Sequence, residues 1–550
     1  MLKRALIAIS LANLCFIPAW RDVLDPGFDF FCYHTRSCPI GAQLTAITLN
    51  TLLLALAFFI ASLVVWRIQR PLLLRKLAYL IFLLVILIPL NSVRVQFDAL
   101  QGPALVARLG KAGFIILLLA LLVVAVFAVR RLGLDRLVKA AASIILIMSP
   151  FVLVAYGQAA WVLIKTGAGT AETVNKEALG APAPARRGPG TRVLWLILDE
   201  MDYRVAFLKR PATLKLPEFD LLRGQSLFAA NAYPPAWETL QSIPALVTGR
   251  MVDAAKEAGP SELAVQFHGS AEKVSWSTQP NIFARARQAG NTTAIVGWYH
   301  PYCRIFGKDL TACSWDPLSD VEESVTDKLS IKHNMLYQIK KSFLFLIHRF
   351  LSAETVERLA PNPDETRLKY EAKSYLSIMN DTRRAALNPD LNLVFAHLPI
   401  PHPPGLYNRE RGELTSEGGR SYLDNLALAD RALGELRAAM ESAGLWDSTT
   451  VLISSDHWWR AREIWNPATG EARWKQFWTK EDAMMWDEKG DHRIPFILKL
   501  AGQKEGVAYD PAFNTVISQE LLLAILRGEV SRPEDAVGWI DKHRLEVPTP

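Results

Sequence analysis

The chain has 550 residues, 51% of them hydrophobic and 21% charged, with a mean hydropathy of +0.14 and a formal net charge of +7. That is too apolar for an average water-soluble enzyme and too charged for a bundle made only of membrane helices, so the apolar residues must be segregated along the chain. Much of the positive charge sits in short loops between apolar runs, which argues against nucleic-acid binding as its cause.

Residues 1–165 hold nearly all the long apolar runs. Five stretches approach the roughly 20 apolar residues that cross a bilayer: about 5–20, 42–66, 77–93, 112–129 and 140–164. The first follows Lys3 and Arg4 like a signal peptide, but no small-residue cleavage site precedes Arg21 and four spans follow, so it is read as an uncleaved helix. The third is short and contains Pro89. Arg67, Arg70, Arg75 and Lys76 lie between spans two and three, and Arg130, Arg131, Arg136 and Lys139 between four and five. The excess of Lys and Arg in cytoplasmic loops then puts the N-terminus inside and everything after residue 164 outside. Cys15 lies within a span. Cys32 with Cys38, and Cys303 with Cys313, form two close pairs on the oxidising side and suggest two disulfides.

Residues 166–191 are rich in Ala, Gly and Pro and read as a loose tether. The remainder, 192–550, opens on V-L-W-L-I-L at 193–198, the length of a buried parallel strand. Similar runs occur at 293–297, 393–396, 450–453 and 494–500. Helical segments separate them, most clearly 421–443, with Leu426, Leu433, Leu436 and Met440 on one face and Gly444 as its stop. The expected architecture is an α-helical transmembrane bundle followed by an α/β domain, its mostly parallel sheet covered by helices on both faces.

Ligands of such sheets bind beyond the carboxyl ends of the strands. There the chain places Asp199 and Glu200, His300, His397 with His402, and Asp456 with His457; His492 precedes its strand and must arrive from a loop. Packing alone predicts Gly, Ser or Asn at these positions. Carboxylates with an imidazole suit one divalent ion, Zn²⁺ or Mn²⁺ first, Mg²⁺ or Ca²⁺ with more water. The stretch 234–250, P-P-A-W-E-T-L-Q-S-I-P-A-L-V-T-G-R, supplies two hydroxyls, Thr239 and Ser242. Beside a divalent ion, Thr239 could attack a phosphate or sulfate ester and hand its group to an acceptor or to water.

These motifs, in this order, resemble the alkaline-phosphatase/sulfatase superfamily, above all its membrane-anchored phosphoethanolamine and phosphoglycerol (lipoteichoic-acid-synthase-like) transferases. L-I-L-D-E resembles the first metal strand and implies metal roles for Asp199 and Glu200. T-L-Q-S-I-P-A-L-V-T-G-R resembles the nucleophile signature followed by T-G-R, with Thr239 as nucleophile and metal ligand. G-W-Y-H, ending at His300, is similar to a G-K-W-H segment, with Trp298 where lysine is usual. H-L-P-I-P-H-P-P implicates His397 in substrate contact and His402, with His300, in catalysis; S-S-D-H implies Asp456 and His457 as ligands; D-H-R-I-P-F-I-L-K implies a substrate contact for His492. Thr in place of Cys excludes a formylglycine sulfatase. Glycine after Asp-His is replaced by Trp458-Trp459-Arg460, where Trp458 either stacks on an acceptor or belongs to the core. Trp465, Trp474, Trp478 and Trp486 extend this Trp-rich segment, either as an interfacial belt or as core.

The resemblance implies a bacterial inner-membrane enzyme whose periplasmic domain moves a phospholipid-derived head group to an envelope glycan or lipid. A sulfatase-like hydrolase of phosphodiesters or sulfate esters is the second reading, and a catalytically silent envelope protein the third. Nucleic acid is not an expected partner, and the sequence does not speak to oligomeric state.

Overall fold

The computed structural model describes residues 1–24, 40–67, 72–94, 102–166, 176–180, 190–259, 261–317, 331–347, 363–415, 421–460, 481, 485 and 490–544. The chain divides into two compact units. One comprises Met1–Asp29, Tyr33–Ala171 and Val321–Pro361, the other Phe30–Cys32, Glu172–Asp320 and Asn362–Pro550.

The first unit is helical: α1 (Leu2–Cys15), α2 (Ile17–Leu24), α3 (Ile40–Arg67), α4 (Leu72–Arg94), α5 (Gly102–Leu132, broken at Gly110), α6 (Leu134–Ile147) and α7 (Pro150–Thr166). Among the described residues four stretches, not five, are long and apolar enough to cross a membrane: Gly41–Val65, Leu73–Leu90, Ala112–Leu132 and Leu134–Ile164. The stretch expected as a first span is divided between α1, which ends at Cys15, and α2, which begins at Ile17. Pro18 has no amide N–H to continue the helical ladder across that junction. At 1.5 Å per residue α1 reaches only about 21 Å, short of a roughly 30 Å hydrocarbon core. Instead its Leu11, Ala12 and Leu14 are buried among other helices, and Ser10 Oγ donates to the Ile145 carbonyl at 2.9 Å. The expected span over 140–164 starts earlier and is broken between α6 and α7, just before Pro150.

A helix from far along the chain, Ile331–Ile347, joins this unit and packs on α3. The sequence reading placed it within 192–550. Its apolar residues are interrupted by amides, and one of them, Gln338, finds its partners on α3, a signal visible only once the two helices are side by side: Asn50 Nδ2 donates to Gln338 Oε1 at 3.0 Å.

In the second unit the strands are β1 (Arg192–Leu198), β2 (Leu227–Tyr233), β3 (Val252–Gly259), β4 (Glu262–Phe267), β5 (Lys273–Ser275), β6 (Thr293–Tyr299), β7 (Ala312–Pro317), β8 (Leu393–Leu398), β9 (Tyr407–Asn408), β10 (Glu413–Leu414), β11 (Thr449–Ser455), β12 (Ile494–Lys499), β13 (Val507–Tyr509) and β14 (Phe513–Asn514). The main sheet runs β13-β2-β12-β11-β1-β8-β6-β7, with β14 beside β2. β11, β1, β8, β6 and β7 are mutually parallel; Leu194 of β1 faces Val451 and Val394. All seven residues of β1 are buried, as the continuous apolar run requires of a central strand covered on both faces.

β12 runs antiparallel to both β11 and β2. Its beginning therefore lies at the edge where β1, β8 and β11 end, which is why His492 can reach that edge by preceding a strand. Two short strands, β13 and β14, follow it. The helix Tyr422–Ser442 has the expected buried face. Ser421 Oγ accepts from Asp424 N at 3.0 Å while the Asp424 carboxylate accepts from Ser421 N, and Gly444 (φ 70°) ends the element.

Cys303 and Cys313 are disulfide-bonded; Cys32 and Cys38 lie outside the described residues. The tether is partly packed: Leu179 is fully buried, and Asn388 Nδ2 donates to its carbonyl at 3.3 Å.

Candidate active site

β1 delivers Asp199 and Glu200 to the sheet edge, both without solvent exposure. Glu200 is held at φ 66°, a left-handed conformation that an ordinary residue keeps only where its surroundings fix it. Three groups do so. Its N–H donates to Asp456 Oδ1 at 3.1 Å, its carbonyl accepts from Tyr422 OH at 2.8 Å, and Arg460 N–H donates to its Oε1 at 2.9 Å. Tyr422 OH in turn accepts from Asp202 N at 3.0 Å, and its ring stacks on Trp459 at 4.3 Å and 3°. Trp459 is thus a support that fixes where Arg460 lands.

The helix Thr239–Thr248 begins at the same edge. Thr239 Oγ1 donates to Asp456 Oδ2 at 2.7 Å and lies 3.2 Å from His457 Nε2. His457 Nδ1 sits 2.9 Å from the Trp458 carbonyl, which can only accept, so Nδ1 carries the proton and the Nε2 lone pair faces Thr239. Ser242 is fully buried and its hydroxyl donates to the Ala236 carbonyl at 3.0 Å; it braces the turn ahead of the helix. After Thr248 the chain turns at Gly249 (φ 66°), where a Cβ would collide with the Gln519 side chain.

The carboxylates test whether a cation belongs here. Neither oxygen of Asp199 nor Oε2 of Glu200 receives a hydrogen bond of normal geometry, although all are buried. His457 Nε2, a lone pair, lies 3.4 Å from both Asp199 Oδ1 and Asp456 Oδ2. Three buried carboxylates and that lone pair converge with Arg460 as the facing cation, an arrangement that repels itself unless a further positive charge sits within it. Ligand atoms of Asp199, Asp456 and His457 lie within 4.8 Å of one another, so these residues fit a divalent ion. Without one, burial first, then Asp456 and Glu200, push the Asp199 pKa well above the carboxylate range. Burial raises Glu200 to about 7 against the pull of Arg460, and holds His457 well below its usual value. Glu200 stands beside the three-residue cluster: Arg460 takes one oxygen and His402 Nε2 lies 3.6 Å from the other.

The other predicted histidines divide. His300 follows Tyr299, which is held at φ 73° by a bond from His300 N to the Trp298 carbonyl, and its Nε2 donates to the Thr239 carbonyl at 3.1 Å. It braces the hydroxyl-bearing residue from behind. His397 Nδ1 meets Tyr302 OH at 2.9 Å, and its Nε2 lies 3.7 Å from Asp199 Oδ2. Burial takes both His300 and His397 down to about 3, so both are neutral. His402 is partly exposed and sits edge-on to Trp298 at 5.4 Å. His492 (φ 63°) stacks on Trp458 at 4.1 Å, which occupies that indole face.

Three residues escaped the sequence reading: Arg460, Tyr302 and Tyr422. Only Tyr302 left a trace, in the small residue at Gly297, where a Cβ would lie 2.6 Å from the Tyr302 ring.

The sulfatase family model matches residues 192–522, more than half of the chain. The chain belongs to the sulfatase family. All the site residues above fall inside that match. Among solved structures, an alkaline phosphatase superfamily protein from Vibrio parahaemolyticus is 14% identical over 63% of this chain and 69% of its own, with a TM-score of 0.36. A sulfatase from Pseudoalteromonas sp. is 14% identical over 61% and 68%, at 0.38. A phosphonate monoester hydrolase from Silicibacter pomeroyi is 14% identical over 61% and 73%, at 0.36. No curated protein matches the chain.

Proposed function

We propose that this sulfatase-family chain transfers a phosphoryl-linked head group, phosphoethanolamine or phosphoglycerol, from a membrane phospholipid to an envelope glycan or lipid. The group passes through an ester on Thr239. The observation that carries this reading is the Thr239 hydroxyl, hydrogen-bonded at 2.7 Å to Asp456 and 3.2 Å from His457 at the start of a ten-residue helix. A helix N-terminus favours an incoming phosphate oxyanion. The four long apolar helices support a lipid donor, and the Lys- and Arg-rich loops support a bacterial inner-membrane protein with its site facing the periplasm.

In the first half-reaction Thr239 Oγ bonds to phosphorus while the bond from phosphorus to the diacylglycerol oxygen breaks. The hydroxyl proton leaves along its bond to Asp456 Oδ2, and the departing oxygen takes a proton from His402 at the rim. In the second, the acceptor hydroxyl bonds to phosphorus and gives its proton to His402, while Thr239 Oγ departs and recovers the proton from Asp456. Asp199, Asp456 and His457 would hold a divalent ion, Zn²⁺ or Mn²⁺ favoured, that lowers the hydroxyl pKa and shields the ester's charge.

The test uses the full chain in lipid nanodiscs with head-group-labelled phosphatidylethanolamine or phosphatidylglycerol and an envelope extract as acceptor. Expected results are diacylglycerol release, label on a glycan or lipid, and a labelled peptide containing Thr239. Thr239→Ala should lower turnover by about 10⁴-fold or more with bound metal unchanged. Free head group as the sole labelled product would make the enzyme a hydrolase. Near-normal turnover in Thr239→Ala would end the covalent scheme.

A further inference from the structure

The helix Ile331–Ile347 is packed inside out by the standards of a water-soluble protein. Asn334, Gln338 and Ser342, four residues apart on one face, are only 2%, 3% and 6% exposed. The central one, Gln338, meets a polar stripe on α3. Asn50 Nδ2 donates to Gln338 Oε1 and to the Met335 carbonyl, both at 3.0 Å, and Gln338 Nε2 donates to the Gln43 carbonyl at 3.0 Å. Thr51, next to Asn50, is fully buried.

The opposite face carries Lys332, Leu336, Ile339 and Lys340. Leu336 is 54% and Ile339 45% exposed. Water would drive these two inward and leave the amides outside. Polar groups inside and apolar groups outside is what lipid selects, because amides toward hydrocarbon lack partners and bond between helices instead. On α3, its packing partner, Leu49, Leu52, Leu53 and Leu56 are exposed in the same way, within a stretch apolar enough to cross a membrane. The helix itself is no spanning element. Seventeen residues with two exposed lysines and a buried amide row suit the boundary between acyl chains and head groups, where lysine stems lie in the apolar layer and their ammonium groups reach phosphate.

We propose that Ile331–Ile347 is an interfacial membrane helix, with Leu336 and Ile339 in the acyl region and Lys332 and Lys340 on the phosphates of anionic phospholipids. The second unit's chain enters this element after Asp320 and leaves it before Asn362. The catalytic sequence is thus fastened to the bilayer at a point additional to α7, whichever head group the enzyme moves.

The test places a single spin label at Leu336→Cys or Ile339→Cys in the full chain, with Cys15, Cys32 and Cys38 replaced by serine. The protein sits in nanodiscs of phosphatidylethanolamine and phosphatidylglycerol. Collisions with dissolved oxygen should exceed those with a water-soluble nickel chelate severalfold, and the order should reverse at Leu221→Cys, a surface site of the second unit. Raising the phosphatidylglycerol fraction should slow the label, and Lys332→Glu with Lys340→Glu should remove that response. Because a label can disturb its own site, an acyl-chain diazirine lipid provides a label-free check and should mark peptides within 331–347. Nickel access equal to that at Leu221, with no photolabelling, would overturn the proposal in favour of a water-facing helix. Low access to both reagents with dipolar broadening would put a second copy of the chain on this face, and overturn it as well.

Discussion

Among the described residues of the helical unit the buried polar groups are neutral amides and hydroxyls, and some bond across helices, as Asn50 does to Gln338 and Ser10 to the Ile145 carbonyl, while leucines such as Leu53 and Leu153 face outward. In the catalytic unit the order is reversed. β1 is buried throughout and apolar from Val193 to Leu198, and three buried carboxylates, Asp199, Glu200 and Asp456, gather where the strands end. A buried amide finds its complement in a neighbouring amide or carbonyl. A buried carboxylate facing other carboxylates must either take up a proton or share a cation, and the cluster of Asp199, Asp456 and His457 fits a cation. Unpaired buried carboxylates are therefore a feature of the second unit's sheet edge, and the helical unit buries neutral polar groups instead.

Removing that cation should break this contrast most visibly. If the ion is present at about 1,000 times its Kd it contributes about 4 kcal/mol to the state that binds it. EDTA should accordingly lower the unfolding temperature of the catalytic unit, followed by the fluorescence of its buried Trp195, Trp276 and Trp315, and leave the helical unit unchanged. Asp456→Ala should start from the lowered value and show no EDTA response. An unaltered catalytic transition in EDTA, with no ion in the purified protein, would remove the metal assignment.

The same contrast decides what could be read from the sequence. β1, β6, β8 and β11 were legible because a central parallel strand is covered on both faces and must be apolar throughout. Their ends were legible because carboxylates and imidazoles there have no packing explanation. β2, with its Ala-Ala-Asn-Ala, and the two- and three-residue strands β14 and β13 carry too little pattern to stand out. Arg460 and Tyr422 were not legible because both act through the backbone conformation of Glu200, and a left-handed residue leaves no mark in the sequence unless it is glycine. In the membrane part hydropathy reads residues 5–20 as one helix, where the structure has α1 and α2 on either side of Phe16. It stayed silent on Ile331–Ile347, because a helix with its amides inside and its leucines outside has no hydropathy of its own to declare.

A smaller effect tests whether a carboxylate buried away from the sheet edge behaves differently from those at it. Asp430 Oδ1 accepts from Glu218 N at 3.0 Å and Phe219 N at 2.9 Å, capping the helix Pro217–Arg223. Burial outweighs those bonds and raises its pKa from 3.8 to about 6. Because the folded value exceeds the unfolded one, the stabilisation is complete below about 3.8 and is lost as the pH rises through about 6. Between pH 7 and pH 5 the parent protein should gain about 1 kcal/mol more than Asp430→Asn, whose amide oxygen can still accept both bonds. Denaturant titrations of the catalytic unit at the two pH values measure it. Equal gains in parent and variant would mean that Asp430 is already hydrated, and that desolvated carboxylates in this unit are confined to the sheet edge.

The smallest effect carries the opposite sign from intuition. Gln338→Leu makes a buried position more apolar, which in a water-formed core of similar volume would be neutral or stabilising. Here it removes the acceptor of Asn50 Nδ2 and the donor to the Gln43 carbonyl, both at 3.0 Å. Interhelical bonds of this kind contribute about 0.6 kcal/mol on average in membranes, so the variant should lose about that much per bond. Asn50→Leu in the same background should then cost only its remaining bond to the Met335 carbonyl, less than it costs in the parent. Unfolding of the helical unit in bicelles, read for the two single variants and the double, gives the coupling directly. A more stable Gln338→Leu, or strict additivity with Asn50→Leu, would show that the amide row is incidental and that this unit obeys the same burial rule as the sheet.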